Sequence, residues 1–166
     1  MGPDSIFSEA GTDFPLNDST KAELLKGAAR LHRSAELGGV LLESVEARAP
    51  GRHLDPPFTV EIAIESSYSA PMEGKLAYTF RYDVQAKSDD KIVMQVKALY
   101  RVKYSFDLED VPEDVIEAYG ENVALATVHP YVRELVRRIS GDFGFPPLTL
   151  DNLDLSTLFA MFAEGL

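Results

Sequence analysis

Residues Lys75–Phe106 read KLAYTFRYDVQAKSDDKIVMQVKALYRVKYSF, and this stretch decides the fold class. Apolar and polar side chains alternate in both of its halves. The apolar face collects Leu76, Tyr78, Phe80, Tyr82 and Val84, then Val96, Ala98, Tyr100, Val102, Tyr104 and Phe106. A period of two with one apolar face is typical of half-buried strands in an antiparallel sheet. The polar segment KSDDK at residues 87–91 predicts a hairpin between the two strands.

The same alternation continues toward the N-terminus. A third strand is predicted from one apolar face made of Phe58, Val60, Ile62 and Ile64. The turn SAPMEG, residues 69–74, joins it to the next strand. An earlier strand is predicted at Val40–Ala47, after Gly38 and Gly39, which we interpret as a bulge or turn. The connector APGRHLDPP, residues 49–57, links these two strands, so four strands are expected.

Helical periodicity marks the two ends of the chain. Thr20 and Glu23 have the spacing of a capping box, and a short helix is predicted from there to about His32. Residues 1–17 show no periodicity and are expected to form a mobile tail. We therefore divide the chain into an N-terminal tail and short helix, residues 1–36, and one domain, residues 37–166.

Three helical segments follow the strands. A short helix or turn is predicted from Pro112 to Gly120, because proline fits a first helical turn. A longer helix is predicted at Asn122–Ile139, with Pro130 inside it causing a kink or a break. A final helix is predicted at Leu155–Ala163. Strands first and helices last, without βαβ alternation, predict an α+β fold.

Composition excludes several functional classes. The chain has 166 residues, a formal net charge of -11 and no cysteine. An acidic protein does not suit nucleic acid or an anionic membrane surface, because such binders neutralise phosphates with clustered Lys and Arg. The lack of thiols excludes disulfides and thiolate metal sites. No run approaches the ~20 apolar residues of a spanning helix. No signal peptide is visible either, so a cytoplasmic protein is expected.

The titratable residues offer little catalytic chemistry. His32, His53 and His129 are scattered without metal-ligand spacing, so no metal, cofactor or catalytic residue is predicted. His53 and Asp55 in the connector could form an acid–base pair. A small-ligand-binding or hydrolytic α+β domain that uses this pair is therefore kept as an alternative.

Several short segments follow one another in the chain: the strand ending at Ala49-Pro50, the three-strand meander, His129-Pro130-Tyr131-x-Arg133-Glu134, Phe145-Pro146-Pro147-Leu148-x-Leu150 and Leu155-x-x-Leu158-Phe159. In this order they resemble the SecB family of bacterial export chaperones. The similar part runs from about Val40 to Phe162. Each segment is short and apolar, and it is their order and spacing that carry the resemblance.

The resemblance implies a four-stranded antiparallel Greek-key sheet with two C-terminal helices on one face. It also implies a homotetramer, a dimer of dimers, that holds unfolded polypeptides without enzymatic activity. The client-binding groove would lie between the connector and the end of the chain, at Leu54, Pro57, Phe58, Phe143, Phe145, Phe159 and Phe162. The long helix would supply oligomer contacts at Val128, Val132, Leu135 and Val136.

The alternative for these apolar residues is an ordinary core. Phe145, Phe159 and Phe162 have a spacing that a generic domain uses for core packing. The apolar face of the long helix could cover the sheet, form the oligomer contact, or do both. The strand aromatics are interpreted as core.

The chain also departs from the family pattern. Export SecB uses acidic side chains on the outer sheet to engage the basic tail of the SecA motor. The corresponding positions here are Ser44, Arg48 and a position near Lys97, which argues against SecA as a partner. The family also contains SecB-like chaperones that guard the antitoxin of a toxin–antitoxin pair. The expected partners are therefore unfolded precursor or antitoxin polypeptides.

Overall fold

The computed structural model describes residues 5–7, 18–107, 109–154, 156 and 163. In chain order, the elements are β1 (Ser5–Phe7), α1 (Asp18–Ser34), β2 (Glu36–Arg48), β3 (Thr59–Tyr68), β4 (Lys75–Ser88), β5 (Lys91–Ser105), α2 (Glu113–Tyr119), a π-helical turn (Gly120–Ala124) and α3 (Leu125–Asp142). The predicted final helix lies outside the described residues, apart from Ser156 and Ala163.

The strands form one antiparallel sheet in the order β1-β3-β4-β5-β2. The loop after β2 crosses from one edge of the four long strands to the other before β3 begins. This crossover is the Greek-key connection, and the predicted α+β class is confirmed. The tail expected at residues 1–17 needs a correction, because Ser5–Phe7 adds a short fifth strand beside β3.

Alternation in the sequence places the core on one side of the sheet. The inward side chains of the two central strands are buried, and they include Tyr78, Phe80, Tyr82, Val84, Val96, Val102 and Tyr104. Helix α3 packs over β4 and β5 rather than over the whole sheet. The central strands therefore have buried inner faces, while the outer strands are covered less completely.

The predicted short helix ends at Tyr119 with Gly120 as its C-cap, but the helical backbone does not stop there. Helical backbone continues from α2 through the π-helical turn into α3, and Gly120 has φ -60° and ψ -49°. A Cβ at this position would lie 2.5 Å from Cε1 of Tyr78. The glycine is therefore required by the close approach of helix and sheet, since any side chain here would collide with the ring. Pro130 lies inside α3, which is not broken.

Two tyrosines of the sheet form hydrogen bonds to the continuous helical segment made of α2, the π-helical turn and α3. The Tyr78 hydroxyl donates to the carbonyl oxygen of Ile116 at 2.6 Å. The Tyr104 hydroxyl donates to Oγ1 of Thr127 at 3.0 Å. The ring of Tyr119 contacts both sheet tyrosines, edge to face with Tyr104 at 5.2 Å and stacked on Tyr78 at 6.2 Å. Aromatic burial and hydroxyl bonding together fix the height and the rotation of the helix above the sheet.

Helix α1 packs against α2. A Cβ at Gly27 would lie 2.7 Å from Cγ2 of Val115, so the two helices approach closely at this point. Leu25, Ala28 and Leu31 are buried, whereas Leu24, which the sequence placed on the same face as Ala28 and Leu31, is half-buried. The N-terminal helix is therefore attached to the body of the protein rather than loosely tethered to it.

Candidate functional site

Strand β3 leaves apolar side chains uncovered on the helix side of the sheet. Val60 and Ile62 pair with Ala86 and Val84, whose side chains are buried, so all four share the inner face. Yet Val60 and Ile62 are each 38% exposed. Helix α3 packs mainly over the central strands β4 and β5.

The crossover loop, residues 49–58, borders this exposed face. Of its predicted groove residues, Leu54 and Phe58 are half-buried and Pro57 is exposed. The loop is held from beneath, because the Gly51 amide donates to the carbonyl oxygen of Val93 at 3.3 Å. A Cβ on Gly51 would lie 2.8 Å from that strand, so the loop lies directly against β5.

A second contact joins the loop to the segment after α3. The rings of Phe58 and Phe145 meet edge to face with centroids 5.7 Å apart. Phe145 is buried and Phe143 is half-buried. The structure thus brings together the two regions of the chain that were predicted to share a groove. Phe159 and Phe162 lie outside the described residues. We call Val60 and Ile62 the β3 strip.

Three side chains of α3 hold the segment 148–151 along the helix. Nε of Arg133 donates to the carbonyl oxygen of Leu150 at 2.9 Å. The Leu148 amide donates to Oγ of Ser140 at 2.9 Å. His129, Arg133 and Ser140 are spaced by four and seven residues, so they lie on one face of the helix. We call these three side chains the α3 clamp.

His129 forms the third bond of the clamp and also reaches the sheet. Its Nε2 lies 2.9 Å from the carbonyl oxygen of Asp151, which can only accept a hydrogen bond. Nε2 therefore donates to that oxygen, and in a neutral imidazole Nδ1 accepts a bond from the Tyr82 hydroxyl at 3.2 Å. His129 is 4% exposed and Tyr82 is fully buried. One imidazole thereby connects strand β4, helix α3 and the segment 148–151. Sequence reasoning did not assign this role to His129.

The predicted oligomer residues are buried within the chain itself. Val128, Val132 and Val136 are fully buried, and Leu135 is nearly so. Their role between copies stays a prediction. A different apolar surface lies on β2, at the edge of the sheet, where Leu37, Leu42 and Val45 are 42–52% exposed. These three share the inner face, because they pair with or lie beside inward residues of β5.

The outer face of the sheet has a mixed charge pattern. Ser44, Arg48 and Lys97 all lie there and are exposed. Nη2 of Arg48 donates to Oε1 of Gln95 at 2.7 Å, and Gln95 in turn donates to Asp83 at 2.9 Å. Lys97 lies opposite Glu46 on one side and Asp83 on the other. The positions at which export SecB carries acidic docking residues therefore hold no carboxylate in this chain.

His53 and Asp55 are exposed in the crossover loop. Asp55 contributes its backbone, since its carbonyl oxygen accepts a bond from the Ser88 hydroxyl at 2.8 Å. Within the described ranges, no group of three or more His, Asp or Glu side chains is arranged to hold a metal ion. No helix in the same ranges is long and apolar enough to span a membrane.

Comparison with known proteins agrees with this architecture. The family model described as preprotein translocase subunit SecB matches residues 40–164. The chain belongs to the SecB family, and the predicted membership is confirmed. Residues 1–39, which contain β1 and α1, lie outside the match.

The sequence identity to individual relatives is low. A protein-export protein SecB from Ruegeria is 26% identical over 111 residues, covering 66% of each chain. One from Anaplasma marginale is 31% identical over 107 residues, covering 61% of each. The chain thus spans about two thirds or less of the length of these relatives. The structure of Mycobacterium tuberculosis Rv1957, a SecB-like chaperone in complex with a ChAD peptide from the Rv1956 HigA1 antitoxin, has a TM-score of 0.69. It is 21% identical, with 79% of this chain and 99% of that chain covered, and so shows a shared fold.

Sequence reasoning missed Val60 and Ile62 as candidate site residues. Their alternation was interpreted as the buried face of a strand, which is correct for β4 and β5. A usable signal existed, because one helix of 18 residues covers about 27 Å of length and roughly two strands of width. The long helix alone therefore leaves an outer strand of a four-stranded sheet partly uncovered, unless another element covers that strand.

Proposed function

We propose that this protein is an ATP-independent chaperone that binds unfolded polypeptides in apolar grooves and keeps them soluble, as in SecB-type protein export. The observation that carries the proposal is the exposed β3 strip beside the Phe58–Phe145 contact in a SecB-family chain. Burying one such side chain is worth about 1.5–3 kcal/mol and requires no particular hydrogen-bond partner. An apolar surface of this kind suits clients of many sequences.

The proposed groove has a buried floor and a more exposed margin. Phe145 is its buried floor, while Leu54, Pro57, Phe58 and Phe143 form its margin. Val60 and Ile62 extend it along β3. Phe159 and Phe162 are proposed to complete it from the final helix. The net charge of -11 favours basic client segments and keeps chaperone particles apart.

The groove is tested by a matched pair of substitutions on one strand. Ile62→Ser replaces an inner-face side chain, and Ala63→Ser replaces an exposed neighbour that points to the outer face. We expect Ile62→Ser to weaken suppression of aggregation of a denatured protein by several-fold, while Ala63→Ser leaves it unchanged. Equal activity of both variants would remove β3 from the groove.

The proposed function itself is tested by measuring the aggregation of an unrelated denatured protein in the presence of this chain at a near-stoichiometric ratio. The unmodified chain should suppress its aggregation, and the double variant Phe159→Asp, Phe162→Asp should lose that activity while its assembly stays intact. A chain that leaves aggregation unaffected would contradict the proposal.

We further propose that the chain assembles as a homotetramer, a dimer of dimers. Strand β2 is a sheet edge of 13 residues with exposed apolar side chains. Such an edge is prone to pair with another strand, and a second copy can cover it. Size-exclusion chromatography with light scattering measures the assembly, and a monomer at micromolar concentration would refute it.

A dedicated antitoxin client is the second candidate. The outer face favours it over export, because Ser44, Arg48 and Lys97 replace the acidic positions that the resemblance assigns to SecA docking. We expect no measurable binding of SecA by calorimetry. A toxin and an antitoxin encoded beside this chain, with co-expression rescuing antitoxin solubility, would establish the dedicated role. Tight SecA binding would restore the export role.

A further inference from the structure

The N-terminal extension forms a strand outside the part of the chain that matches the family. Ser5, Ile6 and Phe7 of β1 pair antiparallel with Tyr68, Ser67 and Ser66 of β3. Residues 1–39 are not part of the family match. This strand pairing is therefore a property of this chain that family membership does not explain.

Strand β1 pairs with β3, the strand that carries Val60 and Ile62 of the proposed groove. Strand β3 has ten residues, and β1 pairs with three of them. Among the described residues, no strand pairs with the outer edge of Thr59–Glu65. Because the pairing is antiparallel, β1 runs from the Tyr68 end of β3 toward the end that carries Val60 and Ile62. An extended peptide lying along this edge would reach β1.

We propose that β1 is a tethered strand that competes with client segments for the edge of β3, so that β1 limits how long a client segment can pair beside the groove. This inference rests on the proposed function. An extended client gains main-chain hydrogen bonds by adding a strand at an open edge. A strand of only three residues makes few such bonds, so a longer client segment can displace it. The tether makes β1 effective at any protein concentration, because its binding is intramolecular.

The size of the effect follows from the fraction of open molecules. The apparent Kd of a client equals the intrinsic Kd divided by that fraction. If β1 is seated in about nine molecules of ten, its removal lowers the apparent Kd about tenfold. A chain lacking residues 1–10 loses β1 and retains all of α1, which begins at Asp18.

The experiment compares the full chain with this truncated chain. The probe is fluorescently labelled, reduced and carboxymethylated α-lactalbumin, which stays unfolded in buffer. We expect the truncated chain to bind it about tenfold more tightly by anisotropy, with unchanged circular dichroism and assembly. Equal or weaker binding by a folded truncated chain overturns the inference and leaves the chaperone proposal standing. No binding by either chain overturns the chaperone proposal, and this inference with it.

Point variants separate strand pairing from mere chain length. Alternate amides of a strand face its neighbour, so one of Ser5 and Ile6 directs its amide toward β3. The double variant Ser5→Pro, Ile6→Pro removes that donor and should bind the probe as tightly as the truncated chain does. The matched control Ser5→Thr, Ile6→Val keeps residues that favour strands and should behave as the full chain. Identical affinities for the two double variants would count against a role for strand pairing.

Discussion

Gly120 has no side chain, and this allows the helix to approach the sheet closely at Tyr78. We expect Gly120→Ala to lower the free energy of unfolding by about 1–3 kcal/mol, because the new methyl group meets the ring of Tyr78 at 2.5 Å in a filled aromatic cluster. Chemical denaturation measures the change. Gly141→Ala is the matched control, since a Cβ there meets nothing within 4 Å and lies in α3. It should stabilise the chain by about 0.5–1 kcal/mol, and a similar loss in both variants would contradict the steric account.

His129 acts at the same scale through hydrogen bonds. His129→Ala leaves the buried Tyr82 hydroxyl without its acceptor and frees the carbonyl oxygen of Asp151. An unsatisfied buried polar group costs about 1–3 kcal/mol, so we expect a loss of that order in stability. Hydrogen exchange should also quicken at residues 148–151. The control His53→Ala changes an exposed loop residue and should stay within about 0.5 kcal/mol of the unmodified chain.

At the scale of elements, the contact between α1 and α2 contains a titratable group. Nδ1 of His32 lies 3.3 Å from the Tyr119 hydroxyl, and burial lowers the pKa of His32 below its ordinary value of 6.5. The folded state therefore binds this proton less readily than the unfolded state. Stability present above pH 6.5 is lost as the pH falls through the lowered pKa.

The variant His32→Gln tests this pH dependence. We expect the unmodified chain to lose stability on acidification below pH 6.5 more steeply than the variant, in denaturant titrations at several pH values. Parallel curves for the two proteins would mean that protonation of His32 does not couple α1 to the fold.

Part of the element pattern followed from the alternation of apolar and polar residues, and part of it could not be predicted. The four long strands were predictable because one face of each must be apolar, whereas β1 and the start of α1 at Asp18, ahead of the predicted cap Thr20, were not. The continuation of helical backbone through Gly120 was not predictable, because a glycine usually marks the end of a helix. Here the glycine is needed for close contact with Tyr78, which lies more than 40 residues earlier in the chain. The clamp also escaped prediction, because its partners are backbone groups without a side-chain signature.

At the scale of the whole molecule, two neighbouring leucines distinguish the faces of the β2 edge. Leu42 pairs with Tyr100 on the inner face, and Leu41 pairs with Arg101 on the outer face. They are 42% and 44% exposed. If copies associate through the inner side of this edge, Leu42→Glu should shift the assembly toward smaller species in light scattering. Leu41→Glu should leave it unchanged, and disruption by both or by neither would refute an inner-face contact.

The α3 clamp has a consequence for how the chain can change over evolutionary time. His129, Arg133 and Ser140 bond to main-chain atoms of the segment 148–151 and not to its side chains. Exposed residues of this segment such as Thr149 and Asp151 are therefore free to drift, whereas proline at position 148 would remove the amide that donates to Ser140. New side chains can appear next to the proposed groove without loosening the segment. If the proposed groove binds clients, their selection can diverge between relatives while the fold stays the same.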